Sequence, residues 1–369
     1  MIKAIARSWR GSVAALLLSC AAATSHAGAV TDCPLRTAPY SVDSPLIDVL
    51  LSPQATAALH KTWPQARSLP AMFTRTAMPS FATIITLRSL AGRPGFPALD
   101  ALDAELRDVP VSDADQAARC ARYDNDVPQA AVEAGSPKLL VFEKVNGFLH
   151  GPAIQAARDA LKAIAARRGW SLTFTDKGGA MTPAFLRQFD AVIWNNVSGD
   201  VLTLSQRAAL RAHVEEGGGF VGFHGSGGDP EVFWDWYVDT LIGARFKGHP
   251  MNPQFQQAQV VVEDTASPIT AGLGSGWAMS DEWYSFKNNP RTGGAHVLAT
   301  LDEKSYAPGD LAMGDHPIAW TRCIGRGRSF YSAIGHRPEA YADARHLRLL
   351  EQATEWAAGK GGTSCPAGR

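Results

Sequence analysis

A chain of 369 residues with 35 Lys+Arg against 35 Asp+Glu, 46% hydrophobic, 19% charged and 9% aromatic residues has the profile of a globular protein with a substantial core, and its length allows two domains. The neutral balance, with no Lys/Arg block of the kind that tracks phosphates, argues against a nucleic-acid partner. The one candidate membrane run lies at the N-terminus and is far shorter than the ~20 apolar residues of a spanning helix, so no transmembrane segment is expected.

Lys3, Arg7 and Arg10 precede the apolar stretch Val13 to Leu18, and Ser25-His26-Ala27 follows. This charged, apolar, small-residue order is that of a secretory signal peptide over residues 1–27 and predicts a secreted or periplasmic protein. Leu17-Leu18-Ser19-Cys20 also resembles a lipobox, so acylation at Cys20 is the alternative. Cleavage removes three basic residues and no acidic one, and leaves four cysteines, Cys33, Cys120, Cys323 and Cys365. An even number in an oxidising compartment predicts two disulfides. Of the three pairings, Cys33 with Cys120 and Cys323 with Cys365 is preferred, because the first two bracket one region and the last two both lie near the end.

Residues 28–130 are punctuated by proline and read as a small helical module. Ser44-Pro45 and Ser52-Pro53 each set a cap residue before a proline at the first helical position. Phe81 to Leu90 fits a helix or a strand, and Leu99, Leu102 and Leu106 give a helical face. The module carries no evident chemistry. Asp124 to Pro137 reads as the linker, placed at 131–137. From 138 to 360 short apolar runs alternate with helical patterns: strands at Leu139–Phe142, Leu172–Thr175, Ala191–Trp194 and Phe220–Phe223, helices at Ala153–Ala166 and Leu204–Val214. That alternation predicts a doubly wound, mainly parallel α/β sheet. Val260–Val262, Val297–Leu301, Ile318–Thr321 and Phe330–Ile334 add strands, with Gly325-Arg326-Gly327 turning a hairpin between the last two. A helix near Ala344–Ala358 closes the domain, and 361–369 is a tail.

Ligands of an open parallel sheet collect beyond the carboxyl ends of its strands. His150, the Asn195-Asn196 loop, His224 and His336 all fall at such ends. The glycines around His224 predict a sharp strand-to-helix turn like a nucleophile elbow, but with no Cys or Ser at its centre. Asp281-Glu282-Trp283-Tyr284 sets two acids against two aromatics, and Asp315-His316 sets an acid beside an imidazole at a strand entrance. Together these residues suit general acid-base catalysis near neutral pH. No tight metal spacing such as His-x-x-x-His occurs, so no cofactor is expected, with a divalent metal as the alternative. Trp234, Trp236 and Trp283 are candidate platforms for a sugar ring.

In order along the chain, Gly147-Phe148-Leu149-His150, Gly217 to His224, Phe246-Lys247-Gly248-His249-Pro250, Asp281-Glu282-Trp283-Tyr284, Gly314 to Trp320 and Gly335-His336 resemble the trehalose-utilisation (ThuA-like) domain of the class I glutamine amidotransferase-like superfamily. The resemblance runs from about Pro137 to Gly359 and leaves the helical module outside it. It implies a flavodoxin-like sheet, a link to disaccharide or glycoside catabolism often alongside 3-keto sugars, and no amidotransferase nucleophile. The expectation is therefore an exported carbohydrate-processing enzyme, with a small-molecule carbohydrate as its partner. Its catalytic candidates are His150, His224, Asp281, Glu282, Asp315, His316 and His336, with Asp315 orienting an imidazole. Its substrate-binding candidates are Asn195, Trp234, His249, Trp283 and Tyr284. A non-catalytic sugar-binding or scaffold protein and a metal-assisted hydrolase are the alternatives.

Overall fold

The structure, a computed structural model, describes residues 29–129, 131–360 and 365. The signal-peptide and Cys20 readings fall outside these residues.

The N-terminal module is helical: α1 (Leu46–Leu51), α2 (Pro53–Thr62), α3 (Ala71–Thr74), α4 (Leu99–Arg107) and α5 (Asp113–Cys120). Its core joins Leu46 and Ile47 to Leu59, Trp63, Leu102 and Leu106, the last two from the stripe seen in the sequence. Ser52 caps α2, its hydroxyl accepting from Ala55 N at 3.3 Å, with Pro53 behind it. Ser44 does not cap α1. Pro45 takes that position, and the Ser44 hydroxyl accepts from Ser41 N instead. Phe81 to Leu90 forms neither a helix nor a strand but two 3-10 turns with one bridge, Pro45 to Thr86, since its apolar residues fill a gap between helices without a regular partner. Because Ser52 is buried and its bond satisfies an otherwise orphaned donor, Ser52→Ala is expected to cost about 1 kcal/mol, read from the urea midpoint.

The segment after α5 is tied down. Arg122 forms a buried ion pair with Asp48 at 2.6 Å, the Asp124 carboxylate accepts from Gly178 N at 2.8 Å, and Gln206 Nε2 donates to Asp124 O at 2.7 Å. The module is thereby held against the body that follows.

That body is one nine-stranded sheet. The strands β1 (Lys138–Phe142), β2 (Ser171–Thr175), β3 (Ala191–Asn195) and β4 (Gly219–Phe223) pair in parallel with β11 (Gly327–Ser332) in the order β2-β1-β3-β4-β11. Every residue of β3 and β4 is buried, as continuous apolar runs covered on both faces must be. The covering helices are α6 (Gly151–Arg168), α7 (Pro183–Leu186), α8 (Leu204–Glu215) and α9 (Ala344–Ala357). Their ends follow the local sequence: α6 stops at Gly169 with φ +72°, and α8 starts in a Thr203/Gln206 capping box.

Beyond β11 the sheet continues antiparallel through β10 (Pro317–Ile324), β9 (His296–Asp302), β6 (Phe255–Val262) and β7 (Gly276–Glu282). A separate pair joins β5 (Phe246–Gly248) to β8 (Ser285–Phe286). The sequence reading missed β5, β7 and β8. Of these β7 matters most. Successive antiparallel pairings give it the direction of β4 and β11, so its end, Asp281-Glu282, lies at the edge where the parallel strands also end.

Both disulfides have the preferred pairing, with Cα separations of 5.3 Å for Cys33–Cys120 and 5.6 Å for Cys323–Cys365. Among the described residues no helix is long and apolar enough to cross a membrane.

Candidate active site

Four loops meet above the carboxyl ends of the strands. The loop after β1 brings His150 to the start of α6. The loop after β4 turns at once, with His224 at φ +32°, a left-handed conformation unusual for a residue bearing Cβ. The surrounding hydrogen bonds hold it: His224 Nδ1 donates to Ala333 O at 2.7 Å and Gly225 N donates to Asn196 Oδ1 at 3.1 Å. A Cβ on Gly225 would lie 2.9 Å from His150 Nδ1, so only glycine lets His150 approach this turn. The segment after β11 brings His336, and the end of β7 brings Glu282.

Glu282 is the hub. Its Oε2 lies 3.0 Å from His336 Nδ1 and 3.4 Å from His224 Nε2, and its Oε1 lies 3.2 Å from His249 Nδ1. Burial opposes its ionisation, but the His224 and His336 imidazoles, with the charge of His249, outweigh it and hold the carboxyl far below the usual range. Burial, reinforced by His224 and His336, pushes His150 the other way, well below the ordinary imidazole value. Tyr284 stacks on His224 with ring centroids 4.0 Å apart.

His150, His249, Glu282, Tyr284 and His336 open into a cavity of about 360 Å³, with His224 fully buried behind them. Its walls include Phe148, Phe246 and Met251, and the N-terminal module contributes Met72, Phe81 and Ile84. A module without evident chemistry in the sequence therefore builds one side of the pocket. The sequence reading also missed Asp229, which lines the cavity. It accepts from Ser198 Oγ at 2.7 Å and Gly199 N at 2.6 Å, yet burial outweighs those bonds and raises its carboxyl to about 7. The available signal was an acid in the Gly227-Gly228-Asp229 loop just past a strand end.

Other candidates stand elsewhere. Asp281 sits behind Glu282, fully buried, accepting from Glu282 N, Gly335 N and Arg337 N at 2.9, 2.6 and 3.1 Å. It organises backbone and does not line the cavity. Asp315 is on the surface, bound to Arg291 at 2.8 Å. It therefore orients no imidazole: the carboxylate on His316 is that of Glu303, 2.8 Å from Nδ1, while His316 Nε2 donates to Tyr284 O at 2.8 Å. With both ring nitrogens so engaged, His316 supports Tyr284 from below and is not placed to act as a base on substrate. Trp283 is fully buried and donates to Gln256 O at 2.8 Å, because alternation along the chain turns it away from the face that Tyr284 presents. Trp234 packs on Trp236 and Arg207 and does not line this cavity. Asn195 is buried, donating to Glu143 Oε1 and Ile154 O.

The family model described as trehalose utilisation, ThuA, matches residues 138–357. Among solved structures, a ThuA-like protein from Bacteroides uniformis is 26% identical, with a TM-score of 0.54 over 64% of this chain and 97% of its own. Another from Parabacteroides merdae is 19% identical, with a TM-score of 0.48 over 62% and 92%. No curated protein matches the chain by sequence. The family match spans the whole α/β body that carries His150, His224, Glu282 and His336, so the chain belongs to the ThuA, trehalose-utilisation family, which links it to sugar metabolism.

Proposed function

We propose that the protein is an exported carbohydrate-processing enzyme that acts on a glycoside or keto-sugar by acid-base chemistry in the cavity over Glu282. The observation that carries this reading is a divergence of two carboxyl groups in one pocket. Glu282 is held ionised by imidazoles, while Asp229 is raised to about 7. Environments that push two titratable groups apart assign a proton acceptor and a proton donor. The Glu282 and imidazole cluster takes the proton next to a sugar carbonyl, and protonated Asp229 delivers one to the departing glycosidic oxygen. The apolar walls suit the hydrophobic face of a sugar ring or an apolar aglycone. Two disulfides accord with an oxidising compartment.

The test is turnover of a panel of disaccharides, aryl glycosides and their 3-keto forms, followed by NMR and mass spectrometry. Conversion by the wild type that persists undiminished in both Glu282→Gln and Asp229→Asn would sink the assignment. The donor role also sets a pH dependence. Asp229 is active as the acid when protonated, so kcat/KM is expected to fall as pH rises through about 7. In Asp229→Asn that alkaline limb disappears along with most of the rate. An alkaline limb unchanged in the variant would remove Asp229 from the reaction.

A further inference from the structure

We propose that His150, His224, His336 and Glu282 bind one divalent first-row transition cation of the zinc class. The inference rests on reading this cavity as the working site, and it replaces the expectation that no cofactor is needed. One ligand atom from each residue lies within 4.8 Å of all the others. The three imidazole rings stand with centroids 5.1, 4.8 and 5.3 Å apart and planes at 90°, 81° and 83°. Edge-to-face angles are ordinary for packed rings; what marks these three is that each also brings a nitrogen, with a Glu282 oxygen, into one group of atoms within 4.8 Å of one another.

The nitrogens are prepared for a ligand. His150 Nδ1 is buried with no hydrogen-bond partner, and His224 Nε2, equally buried, makes no hydrogen bond and has only Glu282 Oε2 near it at 3.4 Å, so both nitrogens are open to a further partner. In the neutral His224 ring Nδ1–H donates to Ala333 O, which leaves the Nε2 lone pair for an ion that takes the place of a proton there, as outer-sphere carbonyls commonly arrange for metal-binding histidines. On Glu282, Oε1 is engaged by Gln254 and His249 while Oε2 faces His224 and His336. Zinc bonds of about 2.0–2.2 Å place neighbouring ligands about 3.3–3.6 Å apart, a contraction of about 1 Å that side-chain rotation supplies. Three imidazoles and one carboxylate suit zinc or a neighbouring transition ion and disfavour calcium and magnesium, which prefer oxygen shells. With four protein ligands, an ion here would have at most a fifth position, through which it would polarise a sugar carbonyl, with Asp229 outside the ligand set keeping its donor role.

The experiment uses the full chain, freed of any purification tag and stripped with EDTA, titrated with ZnCl2 in a calorimeter and, separately, with Co2+ followed by its visible spectrum. One Zn2+ per chain with a sub-micromolar Kd is expected, together with intense Co2+ bands of a low-coordinate site, and no uptake of Mg2+. Glu282→Gln and His336→Ala are expected to weaken zinc binding by about 100-fold or more, whereas His296→Ala, a surface histidine paired with Asp264, leaves it unchanged. Circular dichroism checks that each variant is folded, and the wild-type Co2+ spectrum decides the matter even where a variant is not. No zinc uptake, a hexa-aqua-like Co2+ spectrum, or equal affinity in folded ligand variants would overturn the proposal. Keto-sugar turnover by zinc-free protein that takes up no zinc overturns the metal centre and leaves the acid-base enzyme. Zinc uptake without turnover does the reverse.

Discussion

Glu282→Gln is expected to lower kcat/KM on an accepted substrate by about 10²–10⁴, the range for losing a positioned proton-transfer group. The change keeps the shape of the side chain and removes its charge. His224, His249 and His336 all face this one carboxylate, so an amide there presents an NH2 to at least one nitrogen that wants an acceptor. The loss should fall mainly on kcat, because the apolar walls that hold the sugar are untouched. Steady-state kinetics alongside a thermal melt separates this from unfolding. A folded variant with wild-type kcat would mean that the hub of the cluster does no chemistry.

The second large effect concerns stability. Asp281→Ala is expected to destabilise the protein by about 3–5 kcal/mol, because it strands three backbone N–H donors in a place that water does not reach. Gly335 and Arg337 flank His336, and Glu282 is the neighbouring residue, so the same change loosens two arms of the cluster. Urea unfolding with an unchanged m-value gives the cost directly. Asp281→Asn, which retains an acceptor oxygen, should recover part of the stability. A loss below about 1 kcal/mol for the alanine variant would show that these amides find other partners.

The position of the site was legible where chemistry coincides with a strand end in the parallel half. His150, His224 and His336 each follow a short apolar run, and the rule that loops at the carboxyl edge carry ligands was enough to group them. Asp315 and His316 satisfied the same pattern of acid beside imidazole, and the antiparallel strand β10 begins there. Its start pairs with the end of β11 at the same edge as the site, yet the side-chain partners decide: Asp315 turns outward to Arg291, and His316 has both ring nitrogens engaged by Glu303 and Tyr284 O. Trp283 and Trp234 were singled out for their flat faces, and here burial decides: a tryptophan ring next to a site is more cheaply used as packing.

By itself the sequence determined the helical module, the α/β alternation of the body, the pairing preferred for the four cysteines and the family, because each depends on local periodicity or on ordered motifs. Only the tertiary structure decided three things. It carried the end of β7 to the segment after β11, which makes Glu282 rather than Asp315 the acid among the imidazoles. It brought Met72, Phe81 and Ile84 of the module to the cavity wall, and it buried Asp229 enough to move its carboxyl to about 7. The reason is common to all three. Desolvation and the company of distant side chains are set by contacts across the whole chain, and no spacing within a motif encodes them.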